Sequence, residues 1–189
     1  SPQLAPASIP KCYLKSAIHF VPYDASNARC DFDGTPGDCP YNFYRTSGDI
    51  NARWGSMLAN LETTNRFRGA FPISAADPPL SRPGTWAYPD MLEVGRLANA
   101  TEDRSHFGAW AISSSPLILG FDMADNRTMG RVWPIITNRE VIQVNQAWAG
   151  HPGAEIHSEI TYKAWAKPLG SHPLGSHSAG SHSAGSHSG

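Results

Sequence analysis

Apolar and polar positions along this chain change period repeatedly, from the alternation of strands to the three-and-four spacing of helices. Ala17 to Val21 is a short β-branched and aromatic run closed by Pro22, the form of a buried strand. Tyr23 to Pro40 is rich in Asp, Asn, Gly and Pro, a loop of the length that carries function rather than mere connection. Phe43 to Ile50 then reads as a strand. Within it Arg45 and Asp49 stand four residues apart, and residues an even number apart on a strand project from the same face. Trp54, Met57, Leu58 and Leu61 recur at three and four residues, which predicts an amphipathic helix over 54–66. Gly69, Pro72, Pro78, Pro79 and Pro83 make the next segment a connection, until a strand near 86–91 delivers Asp90. Thr101 has the chemistry of an N-cap, with Glu102 and Asp103 in the first turn of a helix running through Phe107 to Ile112. Residues 115–120 read as another strand, ending at Asp122, and 138–147 as a closing helix. From Glu155 to Ala166 apolar residues fall on even positions, as in one half-buried strand.

The two ends differ from this middle. Residues 1–14 carry Pro2, Pro6 and Pro10, which excludes a regular helix and marks an extended lead-in. Residues 170–189 are a pentapeptide repeat of the Gly-Ser-His type. His172, His177, His182 and His187 recur every five residues, a period that aligns them on neither a helix nor a strand face. Imidazoles suit zinc, copper or nickel, but the composition is that of a flexible Gly/Ser linker, and no metal or other cofactor is expected. His19, His106 and His151 are read as packed or surface residues.

Charge narrows the function classes. Fifteen basic and sixteen acidic residues are interspersed for a net charge of -1, leaving no electrostatic footprint for nucleic acid or anionic membrane. A neutral ligand such as a sugar fits that balance. No apolar run approaches the ~18 residues of a membrane span, while 40 % hydrophobic content and six Trp supply a packed core. Of the three cysteines, Cys12, Cys30 and Cys39, none has zinc-ligand spacing. The step from Cys30 to Cys39 fits a short disulfide loop, with free buried thiols as the alternative. Asn99-Ala100-Thr101 and Asn126-Arg127-Thr128 are acceptor sequons for N-glycosylation. Together they point to a secreted or lumenal protein. The opening SPQLAPASIP has no signal-peptide pattern, so the chain is expected to be processed already or cut from a longer precursor.

Four motifs in order carry a resemblance: RTSGDI, PGTWAYPDMLEVG, SHFGAWAISSSPLILGFDM and TNREVIQVNQAWAG. From roughly Lys15 to Gly150 the chain resembles the second half of the α-galactosidase (melibiase) family, glycoside hydrolase family 27 and its close relatives. The resemblance implies an α/β fold, the second half of a (β/α)8 TIM barrel over 15–150. Its parallel strands would lie near 17–21, 43–50, 86–91 and 115–120, followed by the start of a β segment over 151–169. A complete barrel takes about 250 residues, and this chain has 189. The open strand edges imply a partner, either another chain or a missing N-terminal half, that completes the barrel and orders the tail.

The resemblance also implies a site for a galactoside-like carbohydrate. Retaining cleavage uses two carboxyl groups about 5 Å apart. Asp49 takes the acid/base position, with Arg45 beside it, and Asp90 and Met91 match positions that line the sugar pocket, while Trp86 nearby is read as a surface on which a sugar can stack. The family's nucleophile is an aspartate some sixty residues before the acid/base, and only 48 residues precede Asp49. Tyr13-Leu14-Lys15-Ser16-Ala17 echoes the nucleophile motif with Ala17 in its place, too near Asp49 to be its counterpart. Asp24, Asp31, Asp33 and Asp38 lack that context, so no nucleophile is assigned. Tyr88 stands where the family often has aspartate. The expectation is an incomplete α-galactosidase-like domain, inactive by itself. The alternative is a non-catalytic structural or sugar-binding protein derived from the same fold.

Overall fold

The computed structural model describes residues 43–170. The predicted strand over 17–21, the three cysteines, the proline-rich lead-in and the repeat from residue 171 lie outside the described residues.

Two strands open the barrel-like part. β1, Phe43–Arg45, and β2, Trp86–Tyr88, pair in parallel with Phe43 opposite Trp86 and Arg45 opposite Tyr88. Parallel neighbours need a crossover, and helix α1, Trp54–Thr63, lies on that connection. The strand predicted over 43–50 stops at Arg45. One further bond, Thr46 N–H to the Tyr88 carbonyl at 2.9 Å, extends the ladder before Ser47-Gly48 turns the chain and sends Ile50 into the core. β2 ends where Pro89 has no N–H to donate and Asp90 adopts φ +84°. Over 115–120 the expected strand reduces to a single parallel bridge, Leu92 to Leu119, closed by Leu92 N–H to the Ile118 carbonyl at 2.8 Å and Gly120 N–H to the Leu92 carbonyl at 3.0 Å. The parallel order is therefore present, in strands much shorter than the apolar runs.

α1 presents Met57 and Leu61 to the core and passes into a 3-10 turn, Thr64–Phe67. α2, Ala100–Ile112, is capped by Asn99 rather than Thr101: the Asn99 carboxamide oxygen accepts from Thr101 N–H at 3.0 Å and Glu102 N–H at 2.9 Å. α3, Asn126–Ile136, was not foreseen, because Pro134 interrupts its apolar pattern. Asp125 caps it, and Val132 and Ile135 anchor it. α4, Arg139–Gln146, starts at an Asn138 cap and corresponds to the predicted closing helix. Ile50, Leu92, Val94, Phe107 and Trp110 join the buried faces of α1 and α3 in one core cluster.

The segment 155–166 is a hairpin, not one strand. β3, Ala154–Ser158, pairs antiparallel with β4, Lys163–Ala166, with an irregularity in register between Glu155 and His157. That irregularity and the turn leave Ile156, Ile160 and Tyr162 exposed, while Trp165 packs on the core. The hairpin reaches back to the beginning of the described chain. Arg68 donates to the Glu155 carbonyl, Asn65 donates to the Glu155 carboxylate at 3.3 Å, and Lys163 pairs with Glu62 at 2.7 Å. Behind it, Lys167 donates to the Val144 and Asn145 carbonyls at the end of α4.

Candidate active site

The carboxyl ends of β1 and β2 bring three charged side chains together. Arg45 is the last residue of β1. Its Nη2 donates to Asp49 Oδ1 at 2.7 Å and to Asp90 Oδ2 at 2.5 Å, so one nitrogen joins both carboxylates. The sequence-based reason for placing Arg45 beside Asp49 was strand alternation. They meet instead because the chain turns at Ser47-Gly48 and returns the Asp49 side chain toward the guanidinium.

The two acids have opposite surroundings. Asp49 has a side chain 92 % exposed, whereas that of Asp90 is 15 % exposed. Asp90 also accepts from Ile50 N–H at 2.9 Å through Oδ2 and from Met91 N–H at 2.8 Å through Oδ1. Its own carbonyl receives the indole N–H of Trp110 at 2.8 Å. Left-handed backbone is costly for most L-residues and best tolerated by Gly, Asn and Asp, and these bonds hold Asp90 there. With its oxygens committed to three donors, Asp90 is a fixed acceptor. Asp49 is held among the described residues by Arg45.

Tyr88 lies at the end of β2 beside this group, 8 % exposed and edge-on to Phe43. Burial, reinforced by the Asp90 charge and opposed by Arg45, pushes its phenol up to about 12. Met91 is half-buried and packs against Gly120, where a Cβ would come within 2.7 Å of its sulfur. Trp86 is set apart. It pairs with Phe43, two residues before Arg45 on the neighbouring strand, about 7 Å along at the rise of a β-strand. There it meets Trp148 edge-on at 5.5 Å and lines a cleft of about 380 Å³ with Ser115, Leu117 and Asn145. The structure thus gathers Arg45, Asp49, Asp90 and Met91, and leaves Trp86 outside the group. A larger cleft of about 450 Å³, between α1, α2 and the hairpin, contains none of the charged three.

Two residues that sequence reading missed support the group. Trp110 holds Asp90 as described, and Asn60, on the buried face of α1, reaches the loops of both acids. An indole in an apolar helix pattern reads as core filling, and nothing in its spacing announces a bond to Asp90. Asn99 and Asn126 are exposed. His106 and His151 are both fully buried. His106 Nε2 accepts from Glu93 N–H at 2.8 Å, and burial lowers its imidazole to about 3, which keeps it neutral. Among the described residues, no cluster of three or more His, Cys, Asp or Glu is arranged to hold a metal, and no helix is long and apolar enough to cross a membrane.

Carboxylates gathered at the carboxyl ends of adjacent parallel strands, with helices on the connections, define the layout of the β/α-barrel enzymes, whose sites lie at that end. Residues 15–147 match the melibiase family described as alpha galactosidase A, and the chain belongs to that family. It is 37 % identical over 130 residues to alpha-galactosidase 2 of Arabidopsis thaliana, covering 68 % of this chain and 30 % of that protein. It is 37 % identical over 131 residues to the alpha-galactosidase of Cyamopsis tetragonoloba, covering 68 % and 28 %. Among solved structures it is similar to alpha-galactosidase I from Mortierella vinacea, with a TM-score of 0.52 and 26 % identity over 69 % of this chain and 35 % of that one. The alpha-galactosidase MEL1 of Saccharomyces cerevisiae, at 23 % identity and a TM-score of 0.55, shares the fold. The chain spans about three tenths of the length of the curated relatives it matches, and the described part of the fold is a partial β/α barrel.

Proposed function

We propose that this chain supplies the acid/base side of a retaining α-galactoside hydrolase site. The observation that carries the reading is the single Arg45 nitrogen shared by Asp49 and Asp90 at neighbouring strand ends, in a chain of the alpha galactosidase A family. Asp49, protonated, gives its proton to the glycosidic oxygen as the bond to the anomeric carbon breaks. As a carboxylate it then takes a proton from the water that releases the sugar. The second carboxyl, the nucleophile, comes from the segment or chain that completes the barrel. Asp90 accepts from sugar hydroxyls in the positions its backbone fixes, Arg45 donates to them, and Met91 supplies an apolar wall.

The exposure of Asp49 fits this division, since a completing segment would cover it and provide the desolvation that an effective general acid needs. It equally favours a second reading, a protein that binds galactosides without cleaving them. The interspersed charge supports a neutral sugar and gives no basis for a nucleic-acid partner or an anionic membrane surface. The exposure of Asn99 and Asn126 supports glycosylation in a secretory compartment.

The test is hydrolysis of p-nitrophenyl α-D-galactopyranoside, with binding of methyl α-D-galactopyranoside followed by calorimetry. The chain alone should bind without turnover. With its completing segment it should turn over, and Asp49→Asn should reduce that rate by about 10² or more, the scale of general acid help, while binding persists. Undiminished turnover in Asp49→Asn overturns the assignment, and binding without turnover in the completed barrel selects the second reading.

A further inference from the structure

We propose that Asn60 is a positioning residue for the acid pair, tying the backbone of the Asp49 loop to that of the Asp90 loop; the inference rests on the reading of Asp49 and Asp90 given above. Asn60 is 7 % exposed on α1, next to Leu61 and one turn from Met57, each 1 % exposed. The three-and-four pattern of this face calls for an apolar residue, and Leu has the higher helix propensity. Burying a carboxamide there is unfavourable unless its donors are used.

They are used outside the helix. Asn60 Nδ2 donates to the Gly48 carbonyl at 2.9 Å and to the Pro89 carbonyl at 3.1 Å. Gly48 immediately precedes Asp49, and Pro89 immediately precedes Asp90. Both acids lie beyond the point where the β1–β2 ladder ends, so strand pairing does not set their separation. Past Thr46, the crossings between the two loops are the bond from Ile50 N–H to Asp90 and the Arg45 bridge between the side chains. Asn60 joins the main chains beneath that bridge. Arg45 thus fixes where the carboxylates point, and Asn60 fixes where they start. Because a misplacement of about 1 Å in a reacting geometry can cost about 10² in rate, a backbone tie at this position bears directly on proton transfer from Asp49.

Native-state hydrogen exchange on the full chain tests the tie. The Ile50 amide, which donates to Asp90 across the two loops, reports their register. The Ile142 amide, bonded to the Asn138 carbonyl in α4, reports general stability. Asn60→Leu removes the donors while keeping the number of side-chain heavy atoms, and Asn60→Ala removes them without bulk if the leucine variant does not fold. We expect Ile50 to lose protection about tenfold more than Ile142, as local opening does. Equal loss at both amides, or none at Ile50, overturns the tie. In the completed barrel, Asn60→Leu should lower kcat by about 10² with KM within about twofold. An unchanged kcat per folded molecule overturns the positioning role. If the unsubstituted barrel turns nothing over, the hydrolase reading fails by itself, and the exchange comparison still decides the tie.

Discussion

Tyr88 shows how one buried side chain makes the site sensitive to alkali. Its phenol ionises near 12 in the folded protein and near 10.0 in the unfolded chain. The folded state therefore holds this proton more tightly. The stability this contributes is complete below about pH 10 and is lost as pH rises from about 10 through about 12. Urea midpoints at pH 9 and pH 11 should fall further apart in the unsubstituted protein than in Tyr88→Phe. Parallel behaviour of the two would mean that the phenol titrates as in free tyrosine. At this scale the charged residues were legible, because Arg45, Asp49 and Asp90 announce themselves by type and by the motifs around them. Asn60 and Trp110 were not, because the partner of each is a backbone carbonyl, and a carbonyl has no letter in a sequence. Trp86 was legible as an aromatic near the acid, whereas its register on β2, which sets it beside Trp148, was not.

Helix α2 carries the clearest element-scale test. Asn99 caps it with one oxygen bonded to two N–H groups, and the same residue is a sequon asparagine. Asn99→Ala removes both functions and should cost about 1 kcal/mol in urea denaturation. Asn99→Asp removes the sequon and keeps the acceptor, so its stability should match that of the unsubstituted protein. A loss as large as alanine's would show that the cap does not depend on that oxygen. Helix positions were readable from periodicity in α1, α2 and α4, and hidden in α3 by Pro134. Strand lengths were overestimated for a common reason. At β1, at β2 and near Leu119 the apolar run continues past the last ladder bond, and a turn at Gly48, Pro89 or Gly120 redirects it. In the hairpin, an irregular register and a turn produced an even-numbered pattern that mimicked one strand.

For the whole molecule, the hairpin ties the last described segment back to α1 and the turn after it. Gly153 leads into it at φ +111°, and a Cβ there would lie 1.9 Å from the Ile112 carbonyl oxygen at the end of α2. Gly153→Ala should therefore unseat β3 from α2, at a cost of about 3 kcal/mol combining overpacking with left-handed strain. Loss of the near-ultraviolet signal of Trp165 should accompany it, and an unchanged urea midpoint would show that the hairpin is not seated through this contact. The family was legible because its motifs keep their order along the chain. The way the hairpin folds back on α1 was not, since Arg68 and Glu155 are ordinary surface letters until the fold joins them.

That contact also sets a clock on synthesis. Arg68 and Glu155 are 87 residues apart, so at bacterial or eukaryotic elongation rates the arginine waits roughly 4–17 s for its partner to be made. Through that interval the end of α1 and the turn after it, which Glu62, Asn65 and Arg68 join to the hairpin, lack that support. A pause in translation between α2 and the hairpin would lengthen the exposure. A nascent chain stalled at Gly150 should be cut by protease within α1 at sites that the released protein protects.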